Sequence, residues 1–392
     1  MSGLPSSWKR TQIGSICDVV RGSSPRPIAD QRYFDGGTIP WIKIADATKS
    51  GRFLYDTREK VNEYGASFSR LLPKGSLIVA ASGTLGYTQM LGVPGCIHDG
   101  WLHLNGFRGV EKLFLYYWLK CQVQHFTSSA YGAAIQNINT AIMRESVIDL
   151  PPLDDQFRIA LTLSAYDDLI ENNTRRISIL EEMARRIYEE WFVRFRFPGH
   201  EGVRMVESEL GLVPEGWQAR LLGDEIELAY GKALKAEDRA QGEVPVYGSS
   251  GVVGHHSTPL VSGPGIIVGR KGNVGSVHWC DVPFFPIDTV FFVKTELPLH
   301  YVYFNLQRQN FLNNDAAVPG LNRNQAYALP LPVPSPEVLG SFEAQSVQLL
   351  GLARLLARKN VNLRATRDLL LPKLISGEMD VSALPEPEAL AA

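Results

Sequence analysis

Two short runs carry the residue types that could meet an anion. Ser82-Gly83-Thr84-Leu85-Gly86 and Arg270-Lys271-Gly272-Asn273-Val274-Gly275 each follow a β-branched run, Ile78-Val79-Ala80-Ala81 and Ile267-Val268-Gly269. Glycine amides in a tight turn can close on a phosphate oxygen. Arg and Asn beside them suit the edges of guanine and adenine. Two further pairs recur in the same order. Gly22-Ser23-Ser24-Pro25-Arg26 answers Gly231-Lys232-Ala233-Leu234-Lys235, each with a cation. Tyr131-Gly132 with Gln136-Asn137 answers Gly320 with Asn322-Arg323-Asn324-Gln325. The chemistry on offer is non-covalent: phosphate contacts that position and base contacts that specify. A tight turn with no ligand would use the same residues as the first pair, where recurrence in both halves favours contact; exposed loop cations like those of the second pair are usually just solvated, and amide-rich runs like the third read adenine or simply cap turns. The candidate set is Arg26, Lys43, Ser82, Gly83, Thr84, Gln136, Asn137, Lys232, Lys235, Arg270, Lys271, Asn273, Asn322, Arg323 and Asn324.

Covalent chemistry finds no such footing. There is no Gly-x-x-x-x-Gly-Lys-Ser/Thr loop, no Asn/Asp-Pro-Pro-aromatic run and no Glu-x-Lys tripeptide. Gly248-Ser249-Ser250-Gly251-Val252-Val253-Gly254 is glycine-rich but lacks the spacing of a nucleotide fingerprint. His98 with His103, and His255 with His256, lack the cysteine or carboxylate companions of a metal site. Asp154-Asp155 and Asp167-Asp168 read as helix-dipole complements and solvated charges. No catalytic residue and no metal ligand is expected.

The four cysteines, Cys17, Cys96, Cys121 and Cys280, are far apart and form no CxxC pair, which suits reduced thiols and a cytoplasmic protein. No apolar run is long enough to span a bilayer. A net charge of −2 excludes a uniformly basic coat. The charge is uneven, however. Residues 1–150 carry 16 Lys+Arg against 11 Asp+Glu, a net of +5, and residues 201–335 carry 10 against 14, a net of −4.

What must position the turns is a duplicated architecture. Pro5, Trp8, Gly14 and Gly22 return as Pro214, Trp217, Gly223 and Gly231 at a constant offset of 209, and the glycine turns return at 189. A repeat of half the chain means two domains of one kind. Short strand-like runs broken by Gly and Pro predict irregular α+β domains. Each closes on a proline-rich exit, Leu150-Pro151-Pro152-Leu153 and Leu329-Pro330-Leu331-Pro332, and each exit leads into a long heptad-patterned helix. The first seam takes Ile159, Leu163, Tyr166, Ile170, Asn173, Ile177, Leu180, Ala184, Ile187 and Trp191. The second takes Phe342, Gln345, Leu349, Leu352, Leu356, Lys359, Leu363, Thr366 and Leu370. Two such helices most simply pair with each other as an antiparallel coiled coil about 50 Å long, with Asn173 fixing register. The expected plan is domain 1 over 1–150, a helical region over 151–197, domain 2 over 198–335, a second helical region over 336–381 and a flexible tail over 382–392. Leu161, Leu169, Met183, Phe192, Leu369, Leu371, Leu374 and Ile375 lie off the seams and are expected to meet a partner protein.

Several stretches resemble a known family. Leu150-Pro151-Pro152-Leu153-Asp154-Asp155-Gln156-Phe157-Arg158-Ile159-Ala160, Leu163-Ser164-Ala165-Tyr166-Asp167-Asp168-Leu169-Ile170 and Met183-Ala184-Arg185-Arg186-Ile187 resemble the central region of type I restriction–modification specificity subunits. Thr366-Arg367-Asp368-Leu369-Leu370-Leu371-Pro372-Lys373-Leu374-Ile375-Ser376-Gly377-Glu378-Met379-Asp380-Val381 resembles their distal region. The resemblance implies two target-recognition domains on double-stranded DNA, one for each half of a split site. It implies two adenine methyltransferase subunits and motor–nuclease restriction subunits as partners. It implies no cofactor in this chain, with S-adenosylmethionine, ATP and Mg2+ used by the assembled complex. A standalone nuclease with duplicated DNA-binding domains is the alternative.

Overall fold

Leu150 and Val333 end equivalent strands, and two prolines or a Ser-Pro step then release the chain into its two longest helices, Leu153–Tyr188 and Pro336–Ile375. The computed structural model describes residues 6–131, 137–311 and 320–381. Gln136, Pro5 and the tail expected at 382–392 lie outside them. The chain divides into two compact units, Met1–Thr174 with Arg358–Ala392, and Arg175–Ala357. The division falls inside both long helices, so each unit contains a piece of each.

The two units share one internal plan. In the first, strands run in the order Asp18–Arg21, Trp101–Asn105, Leu77–Ala80, Thr88–Leu91, Phe53–Leu54. In the second, the order is Ile226–Tyr230, Val290–Thr295, Gly265–Gly269, Val277–Cys280. Registers match as well. Leu102 pairs with Val79 and Arg21, and Phe291 pairs with Val268 and Tyr230. A separate two-stranded ribbon joins an early strand of each unit to its last, Lys9–Gln12 with Val147–Leu150 and Gln218–Leu221 with Pro330–Val333.

The repeated glycines have a steric cause. A Cβ on Gly22 would lie 2.1 Å from the His98 carbonyl oxygen, and one on Gly231 would lie 2.1 Å from that of Ile287. No side chain fits at that distance, so the strand exit must be glycine in both units.

Apolar burial then joins sheet to helices. In the second unit Leu228, Ile266, Val268 and Phe291 of the sheet share a core with Tyr301 and Leu306 of helix Leu299–Arg308. Ala184, Tyr188, Trp191 and Phe192 from the first long segment and Phe342 from the second complete it. Phe192 stands 4.9 Å from both Tyr301 and Phe342, ring centre to ring centre. Truncating such a residue to alanine costs about 3–5 kcal/mol. In the first unit Leu115 and Leu119 meet Ile159 and Leu163, with Leu374 and Ile375 arriving from the distal helix.

Within each unit the two helical segments run antiparallel. In the first, Asn173 Nδ2 donates to Asn360 Oδ1 at 2.9 Å, and Asn360 Nδ2 reaches the Ile170 carbonyl and Thr174 Oγ1, each at 3.2 Å. About two turns further the Arg367 guanidinium pairs with Asp167. In the second unit Tyr188 and Trp191 face Phe342. The seam expected in the distal helix is half right. Phe342 and Leu356 are buried, with Leu349, Leu363 and Leu370 half-buried, but the alternate layers are shifted by one. Ser346, Ala353, Asn360 and Arg367 face inward in place of Gln345, Leu352, Lys359 and Thr366. Two of these layers, Asn360 and Arg367, meet the polar partners Asn173 and Asp167, so apolar spacing alone selected the wrong neighbour. Asp167 is likewise not a solvated charge. It is buried, bound by Arg367 and by Tyr117 Oη at 2.7 Å. Burial first, and Asp167 next, push the Tyr117 phenol well above its usual range.

The amide pair makes a double-mutant cycle informative. Asn360→Leu alone strands a buried Asn173 amide and is expected to cost about 1–3 kcal/mol in denaturant unfolding. Asn173→Leu with Asn360→Leu should regain most of that loss. A double variant no more stable than the single one would remove the pair from its register role.

Candidate nucleic-acid interface

In the first unit, the turn Ser82–Gly86 caps strand Leu77–Ala80. Gly83 and Gly86 take φ of +69° and +74°, a left-handed backbone that glycine adopts freely. Ile138 N donates to the Ala81 carbonyl at 2.9 Å, which brings Asn137 beside that turn. In the second unit Gly272 and Gly275 take +78° and +75°, and Leu321 N donates to the Arg270 carbonyl at 2.8 Å. A bridge between Lys271 and Gly320 reinforces it. The same hydrogen bond therefore assembles the same two segments in both units. Ser82, Gly83 and Thr84 come together with Asn137, and Arg270, Lys271 and Asn273 come together with Asn322, Arg323 and Asn324.

Not every candidate side chain is available in the same way. Asn322 caps a short helix, its Oδ1 accepting from Asn324 N at 3.0 Å and Gln325 N at 3.4 Å. Asn139 does the same for Ile142 N at 2.8 Å in the first unit. That Oδ1 is spent on the fold. Asn273 Nδ2 reaches Ser250 Oγ at 3.4 Å, so it is lightly held. Lys43 pairs with Glu59 at 2.5 Å, and Arg26 pairs with Asp99 at 2.6 Å. Both pairs are exposed, worth about 0–1 kcal/mol, and easily exchanged for a phosphate. Lys232 is exposed, and Lys235 lies 3.9 Å from Glu237.

Four residues that sequence reasoning missed sit at the centre of these clusters. In the first unit, Asp99 gathers Ser24 Oγ at 2.8 Å and Arg26 on its carboxylate, and Arg21 Nε at 2.7 Å on its carbonyl. Burial works to raise the Asp99 carboxyl, but Ser24 and Arg26 outweigh it and hold it below its usual range. In the second unit the equivalent carbonyl, of Asp288, accepts Arg270 Nε at 3.1 Å and Nη2 at 2.6 Å. Tyr230 occupies the position of Arg21, and Arg270 that of Ala81, by the offsets of 209 and 189. One carbonyl is thus held by arginine in both units, but from the end of strand Asp18–Arg21 in the first and from the turn after strand Gly265–Gly269 in the second. The adjacency of Arg21 and Tyr230 to the glycine pair was the available signal. His103 is not a further cation: burial, with Arg70 acting the same way, pushes its imidazole down to about 4.

The helix residues expected to meet a partner divide in two. Leu161, Leu169, Met183 and Leu369 are exposed. Phe192, Leu374 and Ile375 are corrected: at 3%, 1% and 6% exposure they are core. Leu371 is half-buried against the same core. The surplus was misread because the helix ends bury themselves on the sheet domains as well as on each other. Leu153, Phe157, Ile179, Leu355 and Val361 are exposed apolar residues that the sequence reading did not select. Among the described residues no group of His, Cys, Asp or Glu could hold a metal ion, and no helix is long and apolar enough to cross a membrane.

A duplicated α+β domain, each copy completed by antiparallel segments of two long helices, defines the class of protein. The pattern described as "Type I restriction modification DNA specificity domain" matches residues 5–182 and 214–355, and the chain belongs to that family. It is similar to the specificity subunit of the type I restriction enzyme MjaIX of Methanocaldococcus jannaschii, 28% identical over 235 residues, which are 58% of this chain and 54% of the relative. It is also similar to the EcoprrI specificity subunit of Escherichia coli, 20% identical over 362 residues and 86% of each chain. The chain spans about half the length of the archaeal relatives it matches, 54% and 53%. The crystal structure of an S subunit from M. genitalium has the same fold, with a TM-score of 0.64, 19% identity, and coverage of 95% of this chain and 97% of that one.

Two substitutions separate phosphate from structural roles in the second turn. Lys271→Ala is expected to lower duplex affinity evenly across sequences and to reduce the salt slope by about one unit. Arg270→Ala should lose more, because it also releases the Asp288 carbonyl. Unchanged affinity and slope in both variants would leave the turn as a turn only.

Proposed function

We propose that this chain is the DNA-recognition subunit of a type I restriction–modification complex, and that it reads a bipartite site, one half through each unit. The observation that carries this reading is the repeated joining of a glycine turn to a polar segment, by Ile138 N to Ala81 and by Leu321 N to Arg270. A site built twice in one chain suits two half-sites separated by bases that neither copy touches. The family assignment favours this over a standalone nuclease. In the proposed complex, two adenine methyltransferase subunits and motor–nuclease subunits do the chemistry with S-adenosylmethionine, ATP and Mg2+. This chain binds and positions the duplex.

The exposed helix leucines supply the partner surface in this reading. Leu161, Leu169, Met183 and Leu369 would be covered by methyltransferase, whereas the buried Ile375 would not.

Adenine methylation mapped in cells carrying this chain with its methyltransferase should show a two-block motif with an indifferent spacer. A continuous motif would refute the two-reader arrangement. Leu169→Asp with Leu369→Asp should reduce co-purification of methyltransferase while circular dichroism stays unchanged. Normal stoichiometry in that double variant would move the docking surface elsewhere.

A further inference from the structure

The two copies of the site differ most where Tyr230 stands. Tyr230 is 53% exposed, large for an aromatic packed edge to face on Phe291 at 4.9 Å. Two guanidinium groups lie against it, Arg323 at 5.2 Å and Arg270 at 5.4 Å from the ring centre. Arg323 also lies 5.8 Å from Tyr327, whose hydroxyl oxygen accepts the Leu228 amide at 2.9 Å and is thereby tied to the strand. Arg270 already spends Nε and Nη2 on the Asp288 carbonyl. In the first unit the positions of Tyr230, Arg270 and Arg323 are taken by Arg21, Ala81 and Thr140. There the single arginine is occupied by the Asp99 carbonyl.

A guanidinium held over an aromatic face keeps its hydrogen-bonding edge in its own plane and loses little freedom on binding. That edge matches the O6 and N7 acceptors of guanine in a bidentate pair. The surrounding domain is net acidic, −4 over residues 201–335, so general attraction to phosphate is weakest here. We propose that Arg323, positioned by Tyr230, reads a guanine in the second half-site, and that the first unit has no counterpart to it. This rests on the DNA-recognition reading above. It adds a base identity, a base-edge contact in place of a phosphate contact, and a built-in difference between the half-sites.

The test uses the complex of full-length chain with its methyltransferase, selecting from duplexes randomised over a central stretch, followed by sequencing. The wild-type complex is expected to select two blocks, one containing a strongly preferred guanine. Arg323→Lys keeps the charge but not the fork. It should flatten preference at that one guanine by about tenfold or more, with the other positions retained. Tyr230→Phe should keep the preference and Tyr230→Leu should weaken it, since the ring is what positions the arginine. An unchanged motif in Arg323→Lys overturns the proposal and leaves the recognition reading standing. Loss of the whole second block in Arg323→Lys also overturns it, because it assigns the residue to the fold. A wild-type complex that selects no two-block motif brings down both readings.

Discussion

Residues 153–174 and 358–375 complete the first unit only when they meet in one register, and the Asn173–Asn360 amide pair fixes which. Leucines tolerate sliding by a heptad, because one apolar layer is much like the next. A buried amide does not, since any other register leaves its donors and acceptors unmatched. Asp167 and Arg367 repeat the condition about two turns away. From that register follows the placement of Leu374 and Ile375 under the sheet domain, and with it the closure of the core beneath strands Leu77–Ala80 and Trp101–Asn105. Polar layers cost stability compared with apolar ones. They are the part of the seam that excludes alternatives.

Duplication lets one copy serve as the control for the other. Where both copies keep a residue, a steric or conformational demand explains it: glycine at 22 and 231 under a neighbouring carbonyl, and asparagine at 139 and 322 as a helix cap. Where they differ but preserve a contact, the contact is what matters. The Asp99 and Asp288 carbonyls are each held by an arginine, Arg21 in one unit and Arg270 in the other. Moving the arginine from the end of one strand to the turn after another, two places across the sheet, frees a position, and the second unit fills it with an aromatic ring. A scaffold contact is conserved while the surface beside it changes chemistry.

Most of the plan was legible in the sequence because repeats and heptads are statements about spacing. The offsets of 209 and 189 fall on matching strands, and strands Val147–Leu150 and Pro330–Val333 are themselves 183 residues apart, as are the helix caps Asn139 and Asn322. What failed were inferences about burial of individual side chains. Ser346, Ala353 and Asn360 lost to bulkier or longer neighbours in a reading by hydropathy, though they are what the seam buries. Phe192 and Ile375 were assigned outward because an amphipathic pattern describes one interface, and these helix ends pack on two. At the site, the candidate loops were found by residue type. Arg21, Asp99, Tyr230 and Asp288 escape a reading by residue type because their importance lies in contacts between strand ends and turns far apart in the chain.

The first unit owns residues from the early chain and from Arg358 onward, with the whole of Arg175–Ala357 between them. During synthesis, then, its sheet emerges long before the segment that covers its underside. At ordinary translation rates the interval is on the order of ten to forty seconds. Through that time Ile159, Leu163 and Leu119 have no Leu374 or Ile375 against them, while Arg175–Ala357 has every residue it needs as soon as it leaves the ribosome. The order of maturation is therefore the reverse of the order of translation: Arg175–Ala357 finishes first, and the earlier-made unit keeps its underside uncovered until the segment from Arg358 onward has been made.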